Sequence, residues 1–220
     1  MRIAVAASLR PVMNELILRW EEKHGSEIDI SSASSGVLTN QIEAGAPFHA
    51  FFSANAKYPE YLYRRKIGLK APFSLVEGQL VFWTRKPLEF LPSQSSMPTF
   101  TAWAMPNPSL APYGLAAQEW LEKEDIQAEN MGKMILGENV GQVNQFIFSG
   151  SIEAAFTAAS AAGVDELIGI GFWTPLETEV PLHHVWLSLK PHPDLHSFEQ
   201  FLAGKEARSV FENYHYKILN

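Results

Sequence analysis

Apolar runs and helix-like patterns alternate along the chain, and this alternation predicts the order of its secondary structure. Short apolar runs, typical of buried strands, lie at residues 2–7, 27–33, 50–53, 79–84, 100–105, 133–136, 154–157 and 183–190. Apolar residues spaced three and four apart predict helices over 11–24, 36–43, 58–66, 111–123, 140–149, 197–202 and 206–214. Such an order favours an α/β fold with parallel-type sheets covered by helices.

Two of the predicted strands end in a serine-bearing turn that leads into a predicted helix. The first turn contains Ser8, and the second contains Ser34 and Ser35. A helix N-terminus presents unpaired N–H groups and the positive end of the helix dipole. Two such turns facing one another would hold a small oxyanion without a charged side chain. The alternative role of Ser8 and Ser35 is to cap the helices that follow them.

The composition permits a large core and excludes several kinds of site. The chain has 220 residues, of which 46% are hydrophobic and 19% charged. No apolar run approaches the about 20 residues that a membrane-spanning helix needs. The absence of cysteine excludes disulfides and cysteine-bound zinc. A formal net charge of -7 disfavours a nucleic-acid partner, so local dipoles would have to hold an anionic ligand against the overall charge.

Signatures of catalysis and of metal binding are weak. The sequence has no Gly-x-Ser-x-Gly turn, no Gly-x-x-x-x-Gly-Lys loop and no Gly-x-Gly-x-x-Gly after a strand. A nucleophile at Ser8 or Ser35 would need a base beside it, and none is indicated nearby in the sequence. His192 and His196 have the i, i+4 spacing of a metal pair, but these histidines and the pair at 183–184 are expected in solvent. We expect a binding protein without a cofactor, not an enzyme.

Several segments, in order, resemble the molybdate-binding periplasmic proteins of ABC importers. Besides the two serine turns, they are Gln-Ile-Glu-Ala-Gly-Ala-Pro at 41–47, Phe-Ser-Ala-Asn at 52–55, Asn-Pro-Ser-Leu-Ala-Pro-Tyr-Gly at 107–114 and Gly-Glu-Asn-Val at 137–140. The resemblance implies a two-lobed periplasmic binding protein of type II with two crossover strands. Residues 1–78 and 187–220 would form lobe 1, and residues 79–186 would form lobe 2.

The resemblance also implies an oxyanion site. Carried over by position, Ser8 and Ser35 would each donate a hydroxyl and a backbone N–H group, whereas Ala54 and Val140 would donate backbone N–H groups. The fifth expected donor is the hydroxyl of Tyr113.

Two positions depart from the pattern of the family. Phe156 stands where some members have a tyrosine hydroxyl, and we expect Tyr113 to replace that donor. Arg10 stands where many members have a small polar residue, and it either lines the mouth of the cleft or points to solvent.

The expected ligand is molybdate or tungstate, and the expected partner is the membrane permease of an ABC transporter. Sulfate or another tetrahedral oxyanion is the alternative ligand, and a ligand-sensing protein without a transport role is the alternative function. The resemblance implies a periplasmic or other extracytoplasmic location, a signal peptide already removed, and a monomer.

Overall fold

The computed structural model describes residues 1–89, 91–93, 98–164, 167 and 169–219. Its strands are β1 (Arg2–Ala6), β2 (Asp29–Ala33), β3 (Ala50–Ser53), β4 (Phe73–Gly78), β5 (Leu80–Thr84), β6 (Phe100–Pro106), β7 (Gly132–Gly137), β8 (Ala154–Ala158), β9 (Phe172–Leu176), β10 (Leu182–Ser188) and β11 (Lys217–Ile218). Its α-helices are α1 (Arg10–His24), α2 (Ser35–Glu43), α3 (Lys57–Arg64), α4 (Pro112–Lys123), α5 (Val140–Ser149), α6 (Leu195–Ala203) and α7 (Lys205–Asn213). Short 3-10 helices span Ala7–Leu9, Ala128–Met131 and Ala159–Gly163.

The strands form two mixed sheets. The first has the order β11-β4-β10-β3-β1-β2, and the second has the order β7-β6-β8-β5-β9. In the first sheet β1 is parallel to β2 and β3, whereas β10 is antiparallel to β3 and β4. In the second sheet β6 is parallel to β7 and β8, whereas β5 is antiparallel to β8 and β9. The predicted α/β class is therefore confirmed, with antiparallel strands added to each parallel core.

The chain passes between the sheets twice. Gln79 alone separates β4 from β5, and residues 177–181 connect β9 to β10. Since β10 pairs with β4 from Leu182 onward, the return to the first sheet precedes the boundary expected at residue 187. The division into two lobes otherwise stays a prediction.

Helix α1 illustrates how the hydrophobic pattern positions an element. Pro11 occupies its first turn, where a missing N–H group costs nothing, and Gly25 ends it in the left-handed conformation at φ 65°. Its buried face includes Leu16 and Trp20, and Trp20 packs edge-on against Phe198 of α6 at 5.2 Å between ring centroids. Within the described residues, no helix combines the length and the apolar character needed to cross a membrane.

Three strands were not predicted, each for a physical reason. Strand β4 contains a bulge at Leu75, where its register with β10 shifts, so the alternation of inward and outward side chains is interrupted. Strand β9 is an edge strand with Pro175 in its interior, a residue that normally argues against a strand. Strand β11 is only two residues long.

Candidate functional site

One cavity lies at the carboxyl ends of the parallel strands of both sheets. All five site residues predicted from the sequence line it. These are Ser8, Ser35, Ala54, Tyr113 and Val140, and they are joined by Ser34, Asn139 and four alanine or proline residues. None of the described side chains that line the cavity is charged. The cavity volume is about 10 Å³, which is enough for roughly one water molecule. A tetrahedral oxyanion is larger, so the walls must separate slightly to admit one.

The topology explains why these distant positions meet. The parallel strands β1, β2 and β3 end at one edge of the first sheet, and the turns that follow them contain Ser8, Ser34–Ser35 and Ala54. In the second sheet, the connections after β6 and β7 lead to the first turns of α4 and α5, which contain Tyr113 and Val140. In α/β sheets, ligands bind outside the carboxyl ends of the strands, where the loops that follow neighbouring strands lie close together.

Ser8 is held by side chains from three other parts of the chain. Its backbone carbonyl oxygen accepts hydrogen bonds from the hydroxyls of Ser160 at 2.9 Å and Tyr216 at 2.7 Å. Its own hydroxyl lies 3.2 Å from Nε2 of His184. Ser8 is therefore positioned by tertiary contacts, and its hydroxyl does not cap the helix that follows.

His184 determines the direction of the Ser8 hydroxyl. It is fully buried, and its Nδ1 atom lies 2.9 Å from the carbonyl oxygen of Leu182. A carbonyl can only accept, so Nδ1 bears the proton in a neutral ring and Nε2 accepts from Ser8. Burial lowers the pKa of His184 to about 3, which keeps the ring neutral near pH 7. The expectation that His184 lies in solvent was therefore wrong, because β10 places it inside the sheet.

Ser35 and Ala54 form a pair. The N–H group of Ala54 donates to Oγ of Ser35 at 3.1 Å, so the proton of the Ser35 hydroxyl remains available to another acceptor. The structure thus commits the Ala54 N–H group, expected to contact a ligand directly, to a neighbouring hydroxyl. Ser35 is the first residue of α2, and the N-cap of that helix is Ser34.

The hydroxyl of Tyr113 is buried and makes no well-formed hydrogen bond among the described residues. Burial raises its pKa well above the usual value, although the nearby Ser8 side chain acts to lower it, so the group stays protonated and remains a donor. The hydroxyl lies directly over Gly78, where a Cβ atom would stand 2.0 Å from its oxygen and 2.6 Å from Cε1 of His184. Glycine at this position is what allows Tyr113 and His184 to occupy the same corner.

Val140 begins α5, and Asn139 caps that helix. The Oδ1 atom of Asn139 accepts from the N–H group of Gln142 at 3.2 Å. The N–H groups of the first residues of a helix have no acceptor within the helix, so that of Val140 is available at the cavity wall. Asn139 belongs to the Gly-Glu-Asn-Val motif, but the sequence did not indicate that it caps α5. This cap orients the first turn of α5.

The two positions that depart from the family pattern, and Asn55 beside Ala54, are not among the residues that line the cavity. Phe156 lies in the core of the second sheet, 4.8 Å from the ring of Phe82. The side-chain oxygen of Asn55 accepts from the N–H group of Lys57 at 2.7 Å. Arg10 lines a separate polar groove between α1 and α5, which shares Ala7 and Asn139 with the cavity. Arg10 is exposed at this groove, so both positions expected for it stay open.

Direct contacts join the two sides of the cavity. The N–H group of Gly36, in the first turn of α2, donates to the carbonyl oxygen of Leu110 at 3.1 Å. The hydrogen bond from Ser160 to Ser8 crosses at a second point. A Cβ atom at Gly36 would lie 3.0 Å from the same Leu110 oxygen, so the approach is close. The structure is thus that of a closed cleft.

Comparisons with known proteins agree with this architecture. A sequence model of a family described as bacterial extracellular solute-binding protein matches residues 1–217. A molybdate-binding protein of Azotobacter vinelandii is 29% identical over 225 residues, covering 98% of this chain and 88% of the relative. One from Rhodobacter capsulatus is 26% identical over 218 residues, covering 97% and 86%. The solved structure of a periplasmic molybdate-binding protein of Azotobacter vinelandii superposes with a TM-score of 0.88 at 25% identity and covers all of both chains.

Proposed function

The chain belongs to the bacterial extracellular solute-binding proteins, and from this premise we propose that it captures molybdate or tungstate for import by an ABC transporter. The family and the molybdate-binding relatives support an oxyanion ligand, and the cavity at the ends of the two sheets is the proposed site.

The observation that carries the proposal is a cavity whose described lining has no charged side chain and whose free polar side-chain groups are donors. Molybdate and tungstate are dianions near neutral pH and offer only acceptors. The hydroxyls of Ser35 and Tyr113 and the N–H group of Val140 are available to them. Each hydrogen bond to an ion contributes about 1.5–3 kcal/mol, and several together offset the cost of removing the dianion from water.

Ser8 contributes in two ways in this proposal. Its backbone N–H group faces the ligand, and its hydroxyl turns from His184 to the anion when the anion enters. The Ala54 N–H group acts through Ser35, since it already donates to that hydroxyl.

The two lobes close on the ligand like a hinge in this proposal. Lobe 1 supplies Ser8, Ser35 and Ala54, and lobe 2 supplies Tyr113 and Val140. Gln79 and residues 177–181 are the connections about which the lobes would turn. Because the anion bridges groups of both lobes, its binding favours the closed state.

Selectivity follows from the same donor set. Phosphate near neutral pH carries a proton that needs an acceptor, and no carboxylate is among the described residues of the cavity lining. A buried proton without a partner is costly, so the site should reject phosphate. Sulfate has no such proton, and only the size of the closed cavity distinguishes it from molybdate.

Solute-binding proteins of this family are extracytoplasmic, and a membrane permease is the proposed protein partner. We expect the protein to act as a monomer, without a cofactor and without nucleic acid.

Isothermal titration calorimetry with molybdate, tungstate, sulfate and phosphate tests the proposed function. One-to-one binding of molybdate and tungstate, at least a hundredfold tighter than that of sulfate, is the expected result. Tighter binding of sulfate than of molybdate would support the proposed site but show that sulfate is its ligand. Absence of binding to all four anions would overturn the proposal.

A second candidate function is a serine hydrolase, because Ser8 Oγ lies within hydrogen-bond distance of His184 Nε2. Two observations count against it. The low pKa of His184, about 3, makes it a weak base near pH 7. The other ring nitrogen is oriented by the carbonyl of Leu182 instead of a carboxylate. Covalent labelling of Ser8 by a fluorophosphonate, detected by mass spectrometry, would favour the hydrolase.

A further inference from the structure

Ser34 precedes α2 at the position where a serine hydroxyl usually caps a helix, yet its hydroxyl makes no capping hydrogen bond. The residue is only 3% exposed. Ser34 therefore occupies the N-cap position through its backbone alone, and its hydroxyl is not used for capping.

The hydroxyl of Ser34 has no hydrogen-bond partner among the described residues. A buried hydroxyl without a partner destabilises a protein, so such groups usually find one. Four other buried side-chain atoms in the described part of the chain share this condition, in Trp20, Ser26, Ser32 and Tyr113. Among these five atoms, only those of Ser34 and Tyr113 belong to residues that line the cavity.

The two unpaired hydroxyls lie on opposite walls of the cavity. Ser34 belongs to the turn after β2, and Tyr113 belongs to the first turn of α4 beside the second sheet. Ser34 also adjoins Ser35, whose hydroxyl proton is available because its oxygen accepts from Ala54. An acceptor placed in the cavity would therefore find donors on both sides.

We propose that the hydroxyl of Ser34 donates a hydrogen bond to the bound oxyanion and is a binding residue in addition to those inferred from the sequence. This inference rests on the proposed function and deepens it. It gives the wall after β2 two adjacent hydroxyl donors, Ser34 and Ser35, and it explains why the unpaired hydroxyl of Ser34 is buried.

The test compares Ser34→Ala with Ser26→Ala. The hydroxyl of Ser26, between α1 and β2, is also buried without a partner among the described residues, and Ser26 lines neither the cavity nor the adjoining groove. Calorimetry should show molybdate binding to Ser34→Ala weakened about tenfold or more, because a hydrogen bond to an ion is lost. Binding to Ser26→Ala should stay within twofold of the unmodified protein.

The thermal stability of the ligand-free protein separates a binding role from a structural one. Removing an unpaired hydroxyl should leave the melting temperature of Ser34→Ala unchanged or raised, while the rise in melting temperature caused by molybdate becomes smaller. A lower melting temperature without ligand, in both Ser34→Ala and Ser34→Gly, would show that the hydroxyl is structural and overturn the inference.

The two proposals fail in distinguishable ways. If the unmodified protein binds none of the oxyanions, the proposed function is overturned, and the role of Ser34 with it. If the unmodified protein binds molybdate and Ser34→Ala binds it equally well, only the role of Ser34 is overturned.

Discussion

The turn after β1 and the turn after β2 have the same place in the fold but different surroundings. In the first, the hydroxyl and the carbonyl of Ser8 are engaged by His184, Ser160 and Tyr216, which come from distant parts of the chain. In the second, Ser35 accepts from Ala54 after the neighbouring strand, and Ser34 has no partner.

The first serine turn is therefore held by distant parts of the chain, whereas the second keeps a hydroxyl without a partner among the described residues. A network of buried hydrogen bonds fixes the first turn before any ligand arrives, and such networks fail as a unit when one member is displaced. The second turn keeps donors unpaired, at a cost in stability that a ligand would remove. Substitutions far from the site in the sequence should therefore disturb the turn after β1 most. Substitutions within the turn should have the greater effect at the turn after β2.

The largest effect is expected from Gly78→Ala, which disrupts the support of the first turn. The added methyl group would collide with Tyr113 and His184, so we expect a loss of about 1–3 kcal/mol in stability and at least a hundredfold weaker molybdate binding. Urea unfolding and calorimetry measure the two quantities. Ser74→Ala, an exposed position on the same strand, is the control. The double variant Gly78→Ala/Tyr113→Phe should regain part of the stability but not the affinity; no recovery of stability would contradict the steric explanation.

The next effect concerns the second turn. Ser35→Ala removes a donor and leaves the Ala54 N–H group without its acceptor, so molybdate binding should weaken about tenfold to a hundredfold. Calorimetry measures this against Ser31→Ala, a β2 position outside the cavity lining. Equal affinities for the two variants would remove Ser35 from the site.

A pair of tyrosine substitutions distinguishes an open donor from a supporting one. Tyr113→Phe removes an unpaired hydroxyl, so molybdate binding should weaken about tenfold while the stability of the ligand-free protein stays the same or rises. Tyr216→Phe removes a hydrogen bond to Ser8 and should lower the stability by about 1 kcal/mol. Thermal unfolding of both variants without and with molybdate is the measurement. Destabilisation by Tyr113→Phe would show that its hydroxyl has a structural partner.

The last effect is a dependence of stability on pH through His184. Its pKa is about 3 in the folded protein and 6.5 as the reference value for the unfolded chain. The unfolded state therefore binds more protons between these values, and stability falls as the pH drops below 6.5, by up to about 1.4 kcal/mol per pH unit.

Urea unfolding between pH 7 and pH 5 checks this linkage. The decline should be shallower in His184→Gln, whose amide oxygen can still accept from Ser8. Equal slopes in the unmodified protein and His184→Gln would show that His184 does not titrate in this way. His49, whose pKa is also lowered by burial, is present in both proteins and does not affect the comparison.

Much of the fold was predictable because local rules decide it. Helix α5 begins and ends where its hydrophobic pattern predicts, and most other predicted helices and strands differ by one or two residues at their ends. The strands that escaped prediction are those in which a bulge, an internal proline or a length of two residues removes the periodic signal.

The site divides along the same line. The two serine turns, the alternating elements and the candidate residues Ser8 and Ser35 were predictable from the sequence, because strand ends, helix starts and a family resemblance can be read locally. The contact of buried His184 with Ser8, the hydrogen bond from Ala54 to Ser35 and the unpaired hydroxyl of Ser34 arise only in the folded chain. These features depend on which strands are neighbours and how closely the two sides approach, and such contacts between distant residues have no local pattern in the chain.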